Sequence, residues 1–131
     1  MPVAEKKVVI LKNNFLKYWL PVYIYAGVIF YISSVPGPLP RVGIPFFDKL
    51  FHIGEYALFG LLCCRALRNS SPQLLIENFK IFGIIIVILF GILDEYHQAF
   101  IPGRDFSIFD IFSDAIGGLI GVFIYGRYNS I

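Results

Sequence analysis

Four long stretches of the 131-residue chain are dominated by apolar residues, at about 18–35, 48–67, 81–100 and 107–126. A hydrocarbon core about 30 Å thick is crossed by roughly 20 helical residues, so the pattern predicts four membrane-spanning helices. The breaks between them carry turn chemistry. Pro36, Gly37, Pro38, Pro40, Gly43 and Pro45 stiffen the first connection, Asn69, Ser70, Ser71 and Pro72 open the second, and Pro102 with Gly103 marks a tight third. Residues 8–17 are apolar with scattered lysines and predict an extra helical turn or two along the interface. This divides the chain into a cytoplasmic or interfacial segment, 1–17, and a membrane domain, 18–131. Lys6, Lys7, Lys12 and Lys17 precede the first apolar run as in a signal peptide, but that run is longer than a signal core and lacks a small-x-small cleavage site. It reads as a retained span. The expected fold is all-α, an integral membrane four-helix bundle.

Composition sharpens this picture. The chain is 57% hydrophobic and only 15% charged, against roughly 25% charged in soluble domains. A net charge of +2 offers no footing for nucleic acid. Cys63 and Cys64 are neighbours in an apolar run, about 100° apart around a helix, so they are badly placed for a mutual disulfide. They read as small space-filling groups.

Charge distribution sets the expected orientation. Lys6, Lys7, Lys12, Lys17, Arg65, Arg68, Lys80 and Arg127 belong to the N-terminus, the second connection and the C-terminus. The other two connections and their flanks hold Arg41, Lys49 and Arg104. The positive-inside rule then places both termini in the cytoplasm of a cell-membrane protein. Acids run the opposite way: Asp48, Glu55, Asp94, Glu95, Asp105, Asp110 and Asp114 all fall toward the extracytoplasmic side. Acids have little weight in topology, so this asymmetry has another cause.

The uncharged parts of the last three spans, 56–64, 81–93 and 115–126, are nine, thirteen and twelve residues long. At about 1.5 Å per residue none of them crosses the hydrocarbon. Charged side chains must therefore enter the membrane, at about 2.5–3.5 kcal/mol each unless they face a polar interior. Helical spacing gathers them. Asp48, His52 and Glu55 share one face of the second span, and Asp94, His97 and Gln98 one face of the third, with Glu95 partly aside. Asp110 and Asp114 continue into Gly117 and Gly121, a spacing that admits a close helix neighbour. Three helices are thus expected to converge on a polar pocket at the extracytoplasmic end. Blander roles exist for single members: Asp48, Asp105, Ser107 or Asp110 as helix caps, and Arg104 as a simple ion-pair partner.

The same residues resemble the VanZ-like family, named for a protein linked to teicoplanin resistance. The family pattern of Asp-Lys-x-x-His followed by an aromatic is similar to Asp48-Lys49-Leu50-Phe51-His52 and Tyr56. Its second signature looks like Asp94-Glu95-x-x-Gln98, then Pro102-x-Arg104, then Asp110. Ser33-Ser34-x-Pro36 is similar too, and the likeness spans roughly residues 30–121. Where the family pattern carries Asn, this chain has Asp114, a carboxylate that would alter cation or proton affinity. The resemblance implies a bacterial or archaeal envelope protein and supplies no reaction.

The resulting expectation is a protein that binds or modifies an envelope lipid or glycan precursor at the outer leaflet. Asp48, His52, Asp94 and Glu95 are the candidate catalytic groups. Lys49, Tyr56, Gln98, Arg104, Asp110 and Asp114 are the candidate substrate contacts, with Arg104 suited to phosphate through its planar fork. Glu55 and His97 are candidates for holding a divalent cation. The expected partners are membrane lipids and an anionic lipid-linked precursor, with oligomerisation open. Catalysis is left open as well: a non-catalytic antibiotic- or lipid-sequestering protein and a structural scaffold are the alternatives. A transporter is disfavoured, since no inverted repeat is visible.

Overall fold

A computed structural model describes residues 2–37 and 43–129; Pro38, Pro40 and Arg41 of the first connection lie outside the described residues. The described chain is all helical: α1 Val3–Ser34, α2 Phe47–Arg68, α3 Gln73–Glu77, α4 Phe79–Gln98 and α5 Ile108–Asn129. α1, α2 and α5 are long and apolar enough to cross a membrane, which makes this a multi-pass membrane protein with three candidate spans. α4 has the length of a span at 20 residues, but its last turns carry Asp94, Glu95, His97 and Gln98.

Two boundaries differ from the sequence pattern. α1 begins at Val3 and runs unbroken for 32 residues, so residues 3–17 and the first expected span form one helix. Ala4, Glu5, Lys6, Lys7, Leu11 and Lys12 favour helix, no Gly or Pro intervenes before Pro21, and Glu5 suits the positive end of the helix dipole. The second connection, expected as a polar loop, contains the short α3. α1 stops where Val35 turns extended (φ −71°, ψ 123°), as the residue before a proline tends to do.

Helices in lipid gain little from burying apolar surface against one another and associate through close packing. α2 packs most extensively on α5, and glycines make that contact. A Cβ on Gly60 would meet the Gly118 carbonyl oxygen at 2.7 Å, one on Gly117 would strike the Ile53 carbonyl, and one on Gly121 the Ala57 carbonyl. The expected Gly117-x-x-x-Gly121 stripe is therefore an interhelical seam. Tyr56, Phe59, Ile29 and Val87 fill the centre, with Cys63 and Cys64 buried as free thiols. Phe30, Tyr31, Leu89, Phe112 and Phe123 face outward, a surface suited to lipid.

The two ends of the bundle are tied differently. At one, the Gly37 N–H donates to the Pro102 carbonyl (2.9 Å), joining the first and third connections. A Cβ on Gly103, whose φ is +77°, would stand 2.8 Å from the Gly37 Cα, so glycine is required for this approach. At the other end the Trp19 indole donates to the Ser70 hydroxyl (3.0 Å), fixing α1 to the second connection.

Candidate functional site

The site forms where the start of α2, the end of α4 and the start of α5 come together beneath the last turn of α1. Spacing of three and four residues puts Asp48, His52, Glu55 and Tyr56 along one strip of α2. Asp110, Ser113 and Asp114 form the facing strip of α5, and Gly91, Asp94, Glu95 and Gln98 that of α4; all seven are buried. Such groups are rare inside a membrane unless they face a bundle interior, and these do.

His52 lies between two acids one helical turn apart. Its Nδ1 is 2.8 Å from Asp114 Oδ1 and its Nε2 is 3.7 Å from Asp110 Oδ2. Lys49 pairs with Asp48 at 2.7 Å and also with Asp110, at the half-exposed rim of the site. Asp48 therefore serves this ion pair, and α2 has no side-chain cap. Ser107 takes the expected capping role: its hydroxyl accepts from the Asp110 N–H at 3.3 Å. The Ser107 N–H in turn donates to Glu95 Oε2 at 2.9 Å, which locks the end of α4 to the turn before α5. The Gln98 amide donates to Asp94 Oδ2 at 3.4 Å.

Arg104 forms the roof. Its Nε donates to the Val35 carbonyl at 3.0 Å and its Nη2 to that of Ile32 at 3.1 Å. The Val35 carbonyl lies just past the helix end, and that of Ile32 also accepts the capping Val35 N–H at 3.2 Å. Beneath it a cavity of about 10 Å³ is lined by Ser33, His52, Glu55, Asp94, Gln98 and Arg104, room for one water-sized group. Tyr56 is wholly buried, its ring among Phe59 and Phe90.

The structure thus brings together His52, Glu55, Tyr56, Asp94, Glu95, Gln98, Asp110 and Asp114, with Lys49 and Asp48 at the rim and Arg104 above. His97 turns elsewhere. It stacks on Phe30 with centroids 4.3 Å apart, and its Nε2 lies 2.9 Å from the Ser34 hydroxyl, so it fastens α4 to α1. Glu95, read from spacing as partly aside, is 0% exposed. One ligand atom each of His52, Glu95 and Asp114 lies within 4.8 Å of the other two; neither Glu55 nor His97 belongs to this group. Gly91 escaped the sequence reading. It carries no chemistry of its own, but a Cβ there would press on Asp114 Oδ2 at 3.1 Å and the Tyr56 ring at 3.5 Å.

Hydrogen bonding is incomplete at the centre of the site. Among the described residues, buried side-chain atoms without a partner include the Tyr56 hydroxyl, Glu95 Oε1 and Asp114 Oδ2. Buried polar groups are nearly always paired, and exceptions call for an explanation.

Long apolar helices enclosing a histidine–carboxylate group define an integral membrane protein with a polar interior site. The sequence matches the VanZ/LLP1 family over residues 4–129, and the chain belongs to that family. No curated protein and no solved structure matches it.

Proposed function

We propose that this VanZ/LLP1-family protein has four spans in a prokaryotic envelope membrane, α4 being the fourth. Both termini are cytoplasmic, with residues 1–17 at that interface. The carboxylate-rich end of the bundle receives the polar headgroup of an envelope lipid or lipid-linked glycan precursor at the outer leaflet. The observation that supports this reading is the set of unpartnered oxygens on Tyr56, Glu95 and Asp114, buried among apolar helices. A group whose task is only to hold helices together is stable when all its members are satisfied. The small cavity admits a single oxygen of a headgroup, a phosphate or hydroxyl oxygen, with the remainder outside beneath Arg104. A contribution to teicoplanin resistance follows if the bound species is a cell-wall precursor.

One observation favours a scaffold instead: both nearby cations are occupied, Lys49 by Asp48 and Asp110, Arg104 by the end of α1. Lipid analysis of protein purified in mild detergent separates the two readings. The parent is expected to carry a phosphorylated envelope lipid that an Asp94→Asn variant of equal thermal stability lacks. Identical lipid content in both, or a variant that only unfolds, would favour the scaffold. For orientation, cysteines placed at Ser71 and Asp105, both exposed, are labelled in whole cells with an impermeant reagent. Reaction at 105 and not at 71 is expected, and the reverse would invert the topology.

A further inference from the structure

We infer that His52, Glu95 and Asp114 form a binding site for a divalent transition-metal ion, Zn²⁺ being the first candidate. Three helices each contribute one residue, α2 the imidazole and α4 and α5 the carboxylates, and one ligand atom from each lies within 4.8 Å of the others. All three side chains are enclosed, at 4%, 0% and 1% exposure. An imidazole with two carboxylates is a ligand set that Zn²⁺ accepts with a fourth position left open, whereas Mg²⁺ and Ca²⁺ prefer oxygen alone.

A further observation points to an occupant. Among the described residues, Glu95 Oε1 and Asp114 Oδ2 have no hydrogen-bond partner although their side chains are buried. Gly91, one turn before Glu95, lets Asp114 close on the α4 backbone, since a Cβ there would stand 3.1 Å from Asp114 Oδ2 and 3.5 Å from the Tyr56 ring. Charge balance agrees. Lys49 is held by Asp48 and Asp110, and Arg104 by carbonyls of α1, so neither neutralises this pair of acids. A dication with neutral imidazole and two carboxylates sums to zero, the favourable state for a group enclosed in a membrane. Asp110 Oδ2, 3.7 Å from His52 Nε2, stands where carboxylates orient metal-bound histidines, which leaves Nδ1, on the Asp114 side, for the ion. The site shares the unpartnered oxygens of Glu95 and Asp114 with the proposed headgroup site, and its test reads the ion alone, so either reading can fail without the other.

The test is made on the full-length protein in detergent, stripped with a chelator, reloaded with Zn²⁺ and freed of excess metal by gel filtration. Elemental analysis is expected to find about one ion per chain. Glu77→Gln, exposed at the opposite end of the bundle, should retain it. Asp114→Asn and Glu95→Gln should weaken binding by at least about a hundredfold, since loss of groups one step removed from a metal already costs 10–100-fold. Cobalt serves as a probe that needs no variant. Co²⁺ loaded into the parent should give visible bands stronger than those of the hydrated ion and abolished by Zn²⁺. Trace metal after reloading, metal retained in both carboxamide variants, or a Co²⁺ spectrum like that of the free ion would each overturn the site.

Discussion

The two ends of the bundle treat charge in opposite ways. At the end bearing the second connection, Arg65 lies over the Tyr18 ring at 4.8 Å, and Arg68 and Lys80 lie at 5.5 and 5.9 Å from the Phe79 ring. The interior beside them is apolar, built from Cys64, Leu67, Phe79 and Val122. Cations there keep their charge at the surface and lay their stems on aromatic faces, as long basic side chains do at membrane interfaces. At the other end His52, Asp94, Glu95 and Asp114 are drawn inside, each at most 4% exposed. The first arrangement follows from solvation alone. The second opposes solvation, and this contrast singles out the end proposed as the functional one without reference to any relative.

The contrast can be broken most severely at the seam that both ends share. Gly121→Val would drive a side chain into the Ala57 carbonyl and to within about 3 Å of the Leu61 nitrogen. A loss of about 3 kcal/mol or more is expected, read as a collapse of thermal stability and of the gel-filtration peak. A well-folded variant would show that α2 and α5 are not locked there.

The next effect is on function rather than stability. Glu95→Gln removes charge at a site whose carboxylate is only half paired, so lipid or metal content should fall about tenfold or more. Unfolding stability should stay within about 1 kcal/mol of the parent or rise, because buried ionic groups often cost stability. A large destabilisation would put the acids back among structural groups.

Arg104→Lys is milder. An ammonium cannot reproduce the planar fork that reaches the Ile32 and Val35 carbonyls together. A cost of about 1–2 kcal/mol is expected, seen as faster hydrogen exchange at the end of α1. Unchanged exchange there would remove Arg104 as the roof.

The smallest effect belongs to the basic end. Arg65→Gln forfeits a cation–π contact with Tyr18, about 1 kcal/mol at a half-buried position, with ligand content unchanged. If it emptied the site as Glu95→Gln should, the two ends would not differ in kind.

Much of this contrast was legible in the sequence. Short uncharged runs forced acids into the membrane, and intervals of three and four gave each helix its polar strip. What spacing could not give was which side of a strip faces inward. Asp94 and Glu95 are adjacent and both buried because the end of α4 is enclosed on two sides, by the cavity under α1 and by the turn at Ser107. His97 follows the spacing rule of Asp94, yet it faces Phe30 and Ser34 of α1. Which neighbour stands beside a strip is a tertiary fact, and so is the close approach of Asp114 that Gly91 permits. The length of α1 was underestimated because scattered lysines lower its apolarity without weakening its tendency to form helix.

The glycine seam has a mechanical meaning. Where backbone meets backbone no side chain is present to yield, so α2 and α5 make a stiff frame. α1 is fastened to that frame by the Tyr25 hydroxyl, which donates to the Glu55 carbonyl of α2 at 2.9 Å, and to α4 and the connections by Ser34 to His97, Arg104 to its last carbonyls, and Trp19 to Ser70. Anything larger than a water molecule that enters the polar end must then displace this leaf and leave the frame standing. A disulfide formed between cysteines at Ser34 and His97 is expected to bar such entry until a reductant is added, and undiminished loading of the oxidised protein would place the doorway elsewhere. The architecture separates the part that keeps the acids in register from the part that would have to move for a guest.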